Sequence, residues 1–213
     1  MAERTVLARS PIDPGIPAGV VAGWVVSTRD ADAPLTLADW TPLAKVLIRA
    51  APGGQVAQAL GVPFGRAERD GDGTLVVGSG LGEWLLLAAP GGAPTLVEHW
   101  QGVADDGLVS VVDITSGRAL MGLVGTRSPD LLAKVCALDL GVAPDGSAFR
   151  SSVAGVVTEV VRNDARSYLL ACDRSFGQYL FDALLDAGRE FSIAITGFTP
   201  DDGRSGGSWA RPT

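Results

Sequence analysis

VSVVDITSGRALMGLVGTRSPDLLAKVCALDL, residues Val109 to Leu140, carries a strand, a break, a second strand and a helix in one run. VSVVDI is rich in β-branched residues, Ser116-Gly117 supplies a turn, and RALMGLVG is a second apolar run. Gly125 closes that strand. Thr126 or Ser128 is placed to cap a helix starting at Pro129, a position that suits proline's fixed φ and missing N–H. Leu131, Leu132, Val135 and Leu138 then fall at helical spacing on one face. The run lies between two segments of similar pattern, so it is expected to hold two halves together.

Before it, AKVLIRA (44–50) has strand composition and GGQVAQAL (53–60) forms a short helix. TLVVGSG (74–80) and EWLLLAAP (83–90) are hairpin strands around Leu81-Gly82, and PTLVEHWQGV (94–103) is a helix. After RALMGLVG, PDLLAKVCAL (129–138) is a helix, VAGVVTEVVR (153–162) one long strand and SYLLACD (167–173) another. RSFGQYLFDALLDAG (174–188) is an amphipathic helix. Each half therefore runs strand–helix–strand–strand–helix. The expected fold class is α+β, with two pseudo-repeated split-βαβ (ferredoxin-like) units sharing a core. The duplicated domain spans 41–196, repeat one about 41–108 and repeat two about 109–196.

Residues 1–40 are expected to be an extended lead-in. Prolines stand at 11, 14 and 17, VVAGWVVSTR (20–29) offers a first strand, ADAPLTL a loop and LADW a helical turn. GRAERDGDG (65–73) has turn composition. Residues 197–213 are glycine-rich and charged and are expected to form a flexible tail.

The chain has 213 residues, 46% of them hydrophobic and only 19% charged. A surplus of apolar residues calls either for a partner subunit or for a large Ala/Val/Leu-rich core. A net charge of -7 argues against nucleic acid, which demands clustered Lys and Arg. Ile16–Val26 is apolar but too short to span a bilayer and has no basic flank, so a cytoplasmic location is expected. Cys136 and Cys172 sit in apolar runs without CxxC spacing, which fits buried free thiols.

Motifs that carry chemistry are weak here. VVGSGLG (76–82) looks like a dinucleotide-binding glycine loop, but EWLLLAA follows it as a strand where that motif needs a helix. His99 is the single histidine, no GxSxG elbow accompanies it, and no second histidine offers metal-ligand spacing. Cys136 as a nucleophile needs a base and exposure, and KVCALDL offers neither. Asp113 has two readings: an Asx-turn or Arg118 partner fastening the two strands, or a polar anchor in a ligand cleft. Arg150, Arg162, Arg166, Arg174 and Arg189 serve an interface or a carboxylate ligand, or are simply solvated. No catalytic residue and no metal ligand is assigned.

The same central run resembles the gamma subunits of heterotetrameric sarcosine oxidases. Val112, Asp113, Gly117, Arg118, Leu120, Leu123 and Gly125 match their V-D-x-S-x-G-R-x-A-L-x-L-x-G pattern, and Lys134, Cys136, Asp139 and Leu140 match the following K-x-C-x-x-D-L. GEWLLLAAP and DRSFGQYLFDALLDAGREF extend the likeness over roughly residues 40–195. Gly141-Val142 departs from the His-Pro frequent there, which puts contacts of that loop in question. The family is similar in turn to the N-terminal, folate-binding part of the glycine cleavage T-protein, an aminomethyltransferase.

The resemblance implies a non-catalytic gamma-type subunit that binds no cofactor itself. It implies packing on an alpha (large) subunit alongside beta and delta subunits. FAD, FMN, NAD and tetrahydrofolate belong to the complex, which oxidatively demethylates sarcosine and passes the one-carbon unit to tetrahydrofolate. Two other roles remain open: a stand-alone folate-dependent aminomethyl or methyl transferase, and a scaffold subunit of another N-methyl amino acid dehydrogenase.

Overall fold

The computed structural model describes residues 6–103 and 107–199. In chain order the strands are β1 (Ala8–Arg9), β2 (Ala18–Val21), β3 (Trp24–Ser27), β4 (Leu35–Asp39) and β5 (Ala44–Arg49), followed by helix α1 (Gln55–Leu60). Strands β6 (Ala67–Arg69), β7 (Leu75–Gly80) and β8 (Glu83–Ala88) lead into α2 (Ala93–Val103). β9 (Ser110–Asp113) and β10 (Arg118–Gly125) precede α3 (Ser128–Val135). β11 (Ser147–Val153), β12 (Val156–Asp164) and β13 (Ser167–Asp173) precede α4 (Gly177–Gly188), and β14 (Ile193–Thr196) ends the fold.

These form a mixed α+β structure of two main sheets and one small one. The five-stranded sheet has the order β6-β7-β8-β5-β9, the six-stranded sheet β11-β12-β13-β10-β4-β14, and the small sheet β1-β3-β2. Three apolar clusters define the layers. One, with Met121, Leu131, Leu170 and Leu184, lies between the six-stranded sheet and α3 and α4. Another, with Val46, Ile48, Val56 and Trp100, lies between the five-stranded sheet and α1 and α2. The third, with Val77, Leu85, Leu120 and Leu169, fills the space between the sheets. Strands with both faces covered carry apolar residues on both, and this explains the unbroken RALMGLVG. Met121 and Leu123 point to the helices while Leu120 points to the other sheet.

β4 precedes β5 in sequence yet pairs with β10; β9 precedes β10 yet pairs with β5. The two crossings use the same chemistry. Asp39 Oδ1 accepts from the Thr41 amide at 3.0 Å, and Asp113 Oδ1 accepts from the Thr115 amide at 2.8 Å. The Trp40 amide donates to Leu120 O and the Leu120 amide donates back to Thr41 Oγ1 at 3.1 Å. The Ile114 amide donates to Lys45 O, and the Lys45 amide donates back to Thr115 Oγ1 at 3.0 Å. Two D-x-T latches thus lock the sheets reciprocally. The central run holds its two halves together by placing β9 in one sheet and β10 in the other.

Several local expectations are corrected. Leu35–Asp39 is a strand rather than a loop and helical turn, because Leu35 and Leu37 alternate into the helix-side core while Ala38 faces the other sheet. GRAERDGDG contains β6, which meets β11 at a corner where the Ala67 amide donates to Gly146 O. VAGVVTEVVR is not one strand: Ala154-Gly155, both at positive φ, turn the chain between β11 and β12. Ser128 lies inside α3 and donates to Arg166 O instead of capping the helix, which ends at Val135 as Cys136 bridges to Val153. FSIAIT, given no element from sequence, contains β14. Gly197 and Phe198 donate to Arg29 O and Ser27 O, and the rest of the expected tail, from 200, lies outside the described residues.

Candidate functional site

VVGSGLG forms the β7–β8 hairpin, and its glycines serve packing. A Cβ on Gly78 would lie 2.1 Å from Pro63 O, because the 63–66 segment crosses that strand directly. Exposed His99 lies on α2, in the outer layer, with its ring edge-on to Trp100 at 5.1 Å. Cys136 and Cys172 are buried free thiols. Cys136 donates to Ser151 Oγ at 3.8 Å, and burial pushes the Cys172 thiol up to about 11. Asp113 takes the Asx-turn reading; Arg118 pairs with Asp173 at 3.1 Å instead.

The arginines separate into distinct roles. Arg162 is buried and donates to Leu140 O and Gly141 O at 2.6 Å each, clamping the loop where the His-Pro pattern is missing. Arg174 donates to Arg9 O and fastens the N-terminal segment. Arg166 is exposed, as is Arg189 beside Asp186. Arg166 lines a separate hollow beside Gly125, and Arg150 enters the concave site between the sheets.

That site is a cleft of about 190 Å³ at one end of the space between the sheets. Leu47, Leu85, Ile114 and Val157 form its apolar walls. Arg150 Nη2 bridges the sheets, 2.7 Å from Glu83 Oε1 on β8 and 3.0 Å from Glu159 Oε2 on β12. Arg49 reaches the other Glu83 oxygen at 2.8 Å. Burial works to raise the Glu83 carboxyl, but the Arg150 and Arg49 hydrogen bonds outweigh it and hold it below the usual range. Ser79 Oγ and Arg118 Nε are buried without partners among the described residues.

Sequence reasoning named Arg118 and Arg150 but passed over Arg49, Ser79, Glu83 and Glu159, and over Lys45. Lys45 is fully buried and donates from Nζ to Thr41 O at 2.6 Å and Leu43 O at 2.8 Å. Burial pushes its ammonium down to about 7 against the pull of Asp39 and Asp113. The available signal was period two: Lys45, Leu47 and Arg49 share one strand face, opposite Ala44, Val46 and Ile48.

Chemically the cleft is a closed ion network rather than an assembled catalytic centre, since each acid is already matched by an arginine. It is also smaller than the roughly 300–1,000 Å³ that drug-sized ligands occupy. Tetrahydrofolate does not fit it as it stands. Among the described residues no group of His, Cys, Asp and Glu is arranged to hold a metal, and no helix is long and apolar enough to cross a membrane.

Comparison with known proteins places the chain. No curated protein sequence matches it. Its structure is similar to a chain of the heterotetrameric sarcosine oxidase from Corynebacterium sp. U-96 in complex with pyrrole 2-carboxylate. The two share 28% identity and a TM-score of 0.68, over 78% of this chain and 90% of that one. It is also similar in fold to the glycine cleavage system aminomethyltransferase T from Bartonella henselae. That match has a TM-score of 0.72 at 15% identity, covering 90% of this chain and spanning 60% of the other. Residues 50–190 match the model of the sarcosine oxidase, gamma subunit family. The chain belongs to the sarcosine oxidase, gamma subunit family.

Proposed function

We propose that this chain is a non-catalytic gamma-type subunit of a cytoplasmic, flavin-dependent complex that oxidatively demethylates sarcosine and hands the one-carbon unit to tetrahydrofolate. The carrying observation is the 28% identical counterpart, 90% covered, inside a heterotetrameric sarcosine oxidase. The subunit packs on the large alpha subunit, with beta and delta subunits completing the assembly. FAD, FMN, NAD and tetrahydrofolate are held by those other chains. Supporting this division of labour, the most reactive side-chain types here are buried, exposed on an outer helix or engaged in ion pairs.

The domain reading belongs to the same proposal. Residues 41–108 and 109–196 are two copies of one split-βαβ unit, with 1–40 a lead-in that contributes β4 and 197–213 a tail. The shared strand order, β6-β7-β8-β5-β9 against β11-β12-β13-β10-β4, and the paired D-x-T latches support the duplication, with β9 and β4 each crossing to the other copy's sheet.

Co-expression with the alpha, beta and delta chains from the same genome, followed by affinity capture of this chain, tests the assignment. Stoichiometric recovery of the large subunit is expected, and recovery of this chain alone overturns the reading. Titration of the isolated chain with tetrahydrofolate is expected to give no binding heat; measurable heat favours the folate-dependent transferase instead.

A further inference from the structure

β9 pairs with β5 along one edge, and no strand flanks its other edge among the described residues. The matching strand in the other sheet is β4. Asp39 stands opposite Met121, Asp113 stands opposite Val46, and each begins a D-x-T latch at the same point of the ladder. On that register Leu35–Ala38 corresponds to Val109–Val112. In the six-stranded sheet the outer edge of Leu35–Ala38 is occupied by β14, parallel, from Ile193 beside Leu35 to Thr196 beside Ala38. Among the described residues the five-stranded sheet has no strand in that position: the chain leaving α2 enters β9 itself, whereas the chain leaving α4 has β4 already in front of it.

β9 is short, four residues ending in exposed Asp113, but its outer edge is otherwise little blunted. Edge strands are normally blunted by Lys, Pro or a bulge, yet Leu108-Val109-Ser110-Val111-Val112 has none of these. Leu108 is 95% exposed and Val112 46% exposed beside it. The Ile114 amide bonds to Lys45 O, so in an antiparallel ladder Val112 and Ser110 also face β5. The amides of Val111 and Asp113 therefore point outward.

We infer that the outer edge of β9 receives an extended, aliphatic segment of the large partner subunit, which adds as a strand parallel to β9 in the position that β14 fills beside β4. This rests on the proposed role as a subunit. Main-chain hydrogen bonds supply the affinity, and the segment's alternate side chains cover Val112 and Leu108.

Hydrogen exchange of the full-length chain, alone and in the co-expressed complex, tests this. The peptide spanning Leu108–Asp113 should gain protection on assembly. Val111→Pro removes one outward amide while leaving the β5 ladder intact, and should weaken association about tenfold with an unchanged circular dichroism spectrum. If the complex forms and the β9 amides exchange as in the free chain, the docking edge is wrong while the subunit assignment stands. Equal protection in the free chain, by its own terminal segment or a second copy, also overturns the inference. Failure of any complex to form removes both readings.

Discussion

Gly122→Ala is the most demanding test of the intersheet packing. Gly122 sits in β10 beneath the Trp40 ring, and a Cβ built there would lie 2.5 Å from Cε2, 2.6 Å from Cζ2 and 2.7 Å from Cδ2. Ordinary carbon contacts are about 3.5–4.0 Å, so the overlap is about 1 Å. Trp40 is 2% exposed, packed between the sheets, and has nowhere to retreat. Overpacking of this kind costs roughly 1–3 kcal/mol, against the roughly 0.5–1 kcal/mol that replacing a strand glycine normally contributes. A net loss of about 1 kcal/mol is expected, read from the urea midpoint by circular dichroism at constant slope. Trp40→Phe removes the clashing ring and also a buried indole N–H without a partner, whose burial costs about 1–3 kcal/mol. That variant should be mild, and adding Gly122→Ala to it should cost little more. A stabilised single variant, or strict additivity of the two, would refute the packing argument.

Lys45 makes a prediction in pH. Its ammonium titrates near 7 in the fold and near 10.5 when unfolded, so between those values the unfolded chain holds the extra proton. Folding stability therefore rises with pH across that window, and the full cost of burying the charge is present below it. The stability of the native chain minus that of Lys45→Met should climb from pH 7 to 10 by at most about 4 kcal/mol, less whatever the two carbonyl bonds return. A flat difference would mean that those carbonyls solvate the ammonium fully. Arg150→Met strands Glu159, 3% exposed, without its guanidinium; a loss of about 1–3 kcal/mol is expected, discounted because Arg150 itself is 43% exposed. Adding Glu159→Gln should recover most of it in the same denaturation assay. Glu83, held below 4.5, contributes stability that is present above 4.5 and lost as pH falls through its folded value; Arg150→Met should shrink that acid loss, and an unchanged acid limb argues against the bridge.

The sequence disclosed β10 and β13 to the residue, because a strand buried on both faces and ended by Gly125 or by Asp173 has sharp boundaries. It concealed β4 and β14. Both are short, and what makes them strands is the pairing of β4 with β10 and of β14 with β4, contacts distant in sequence that local periodicity does not report. Asp113 was legible as a turn anchor because an Asx-turn is a local device. Its twin at Asp39 was hidden inside LTLADW, where apolar neighbours imitate a helical turn. The cleft went unseen for a different reason. Arg150 and Glu159 face each other across the β11–β12 pair, but Glu83 belongs to the other sheet, and only the stacking of the sheets brings it to 2.7 Å from Arg150.

The latches bear on how a partner would be felt. β9, the strand with the open edge, shares β5 with Lys45 and Arg49, and Arg49 connects through Glu83 to the Arg150 bridge. Ile114, at the end of β9, bonds to Lys45 O and also lines the cleft. A strand added at β9 would therefore stiffen the wall carrying Lys45, Leu47 and Arg49, one side of the intersheet cleft. The opposite wall, on β12 and β13, belongs to the other sheet and meets this one through the intersheet apolar cluster, the Arg150 bridge and the Asp113–Thr115 latch. Of these, Arg150 and the latch are polar connections that single substitutions sever. Severing one, as Arg150→Met does, would leave the docking edge intact while loosening the cleft.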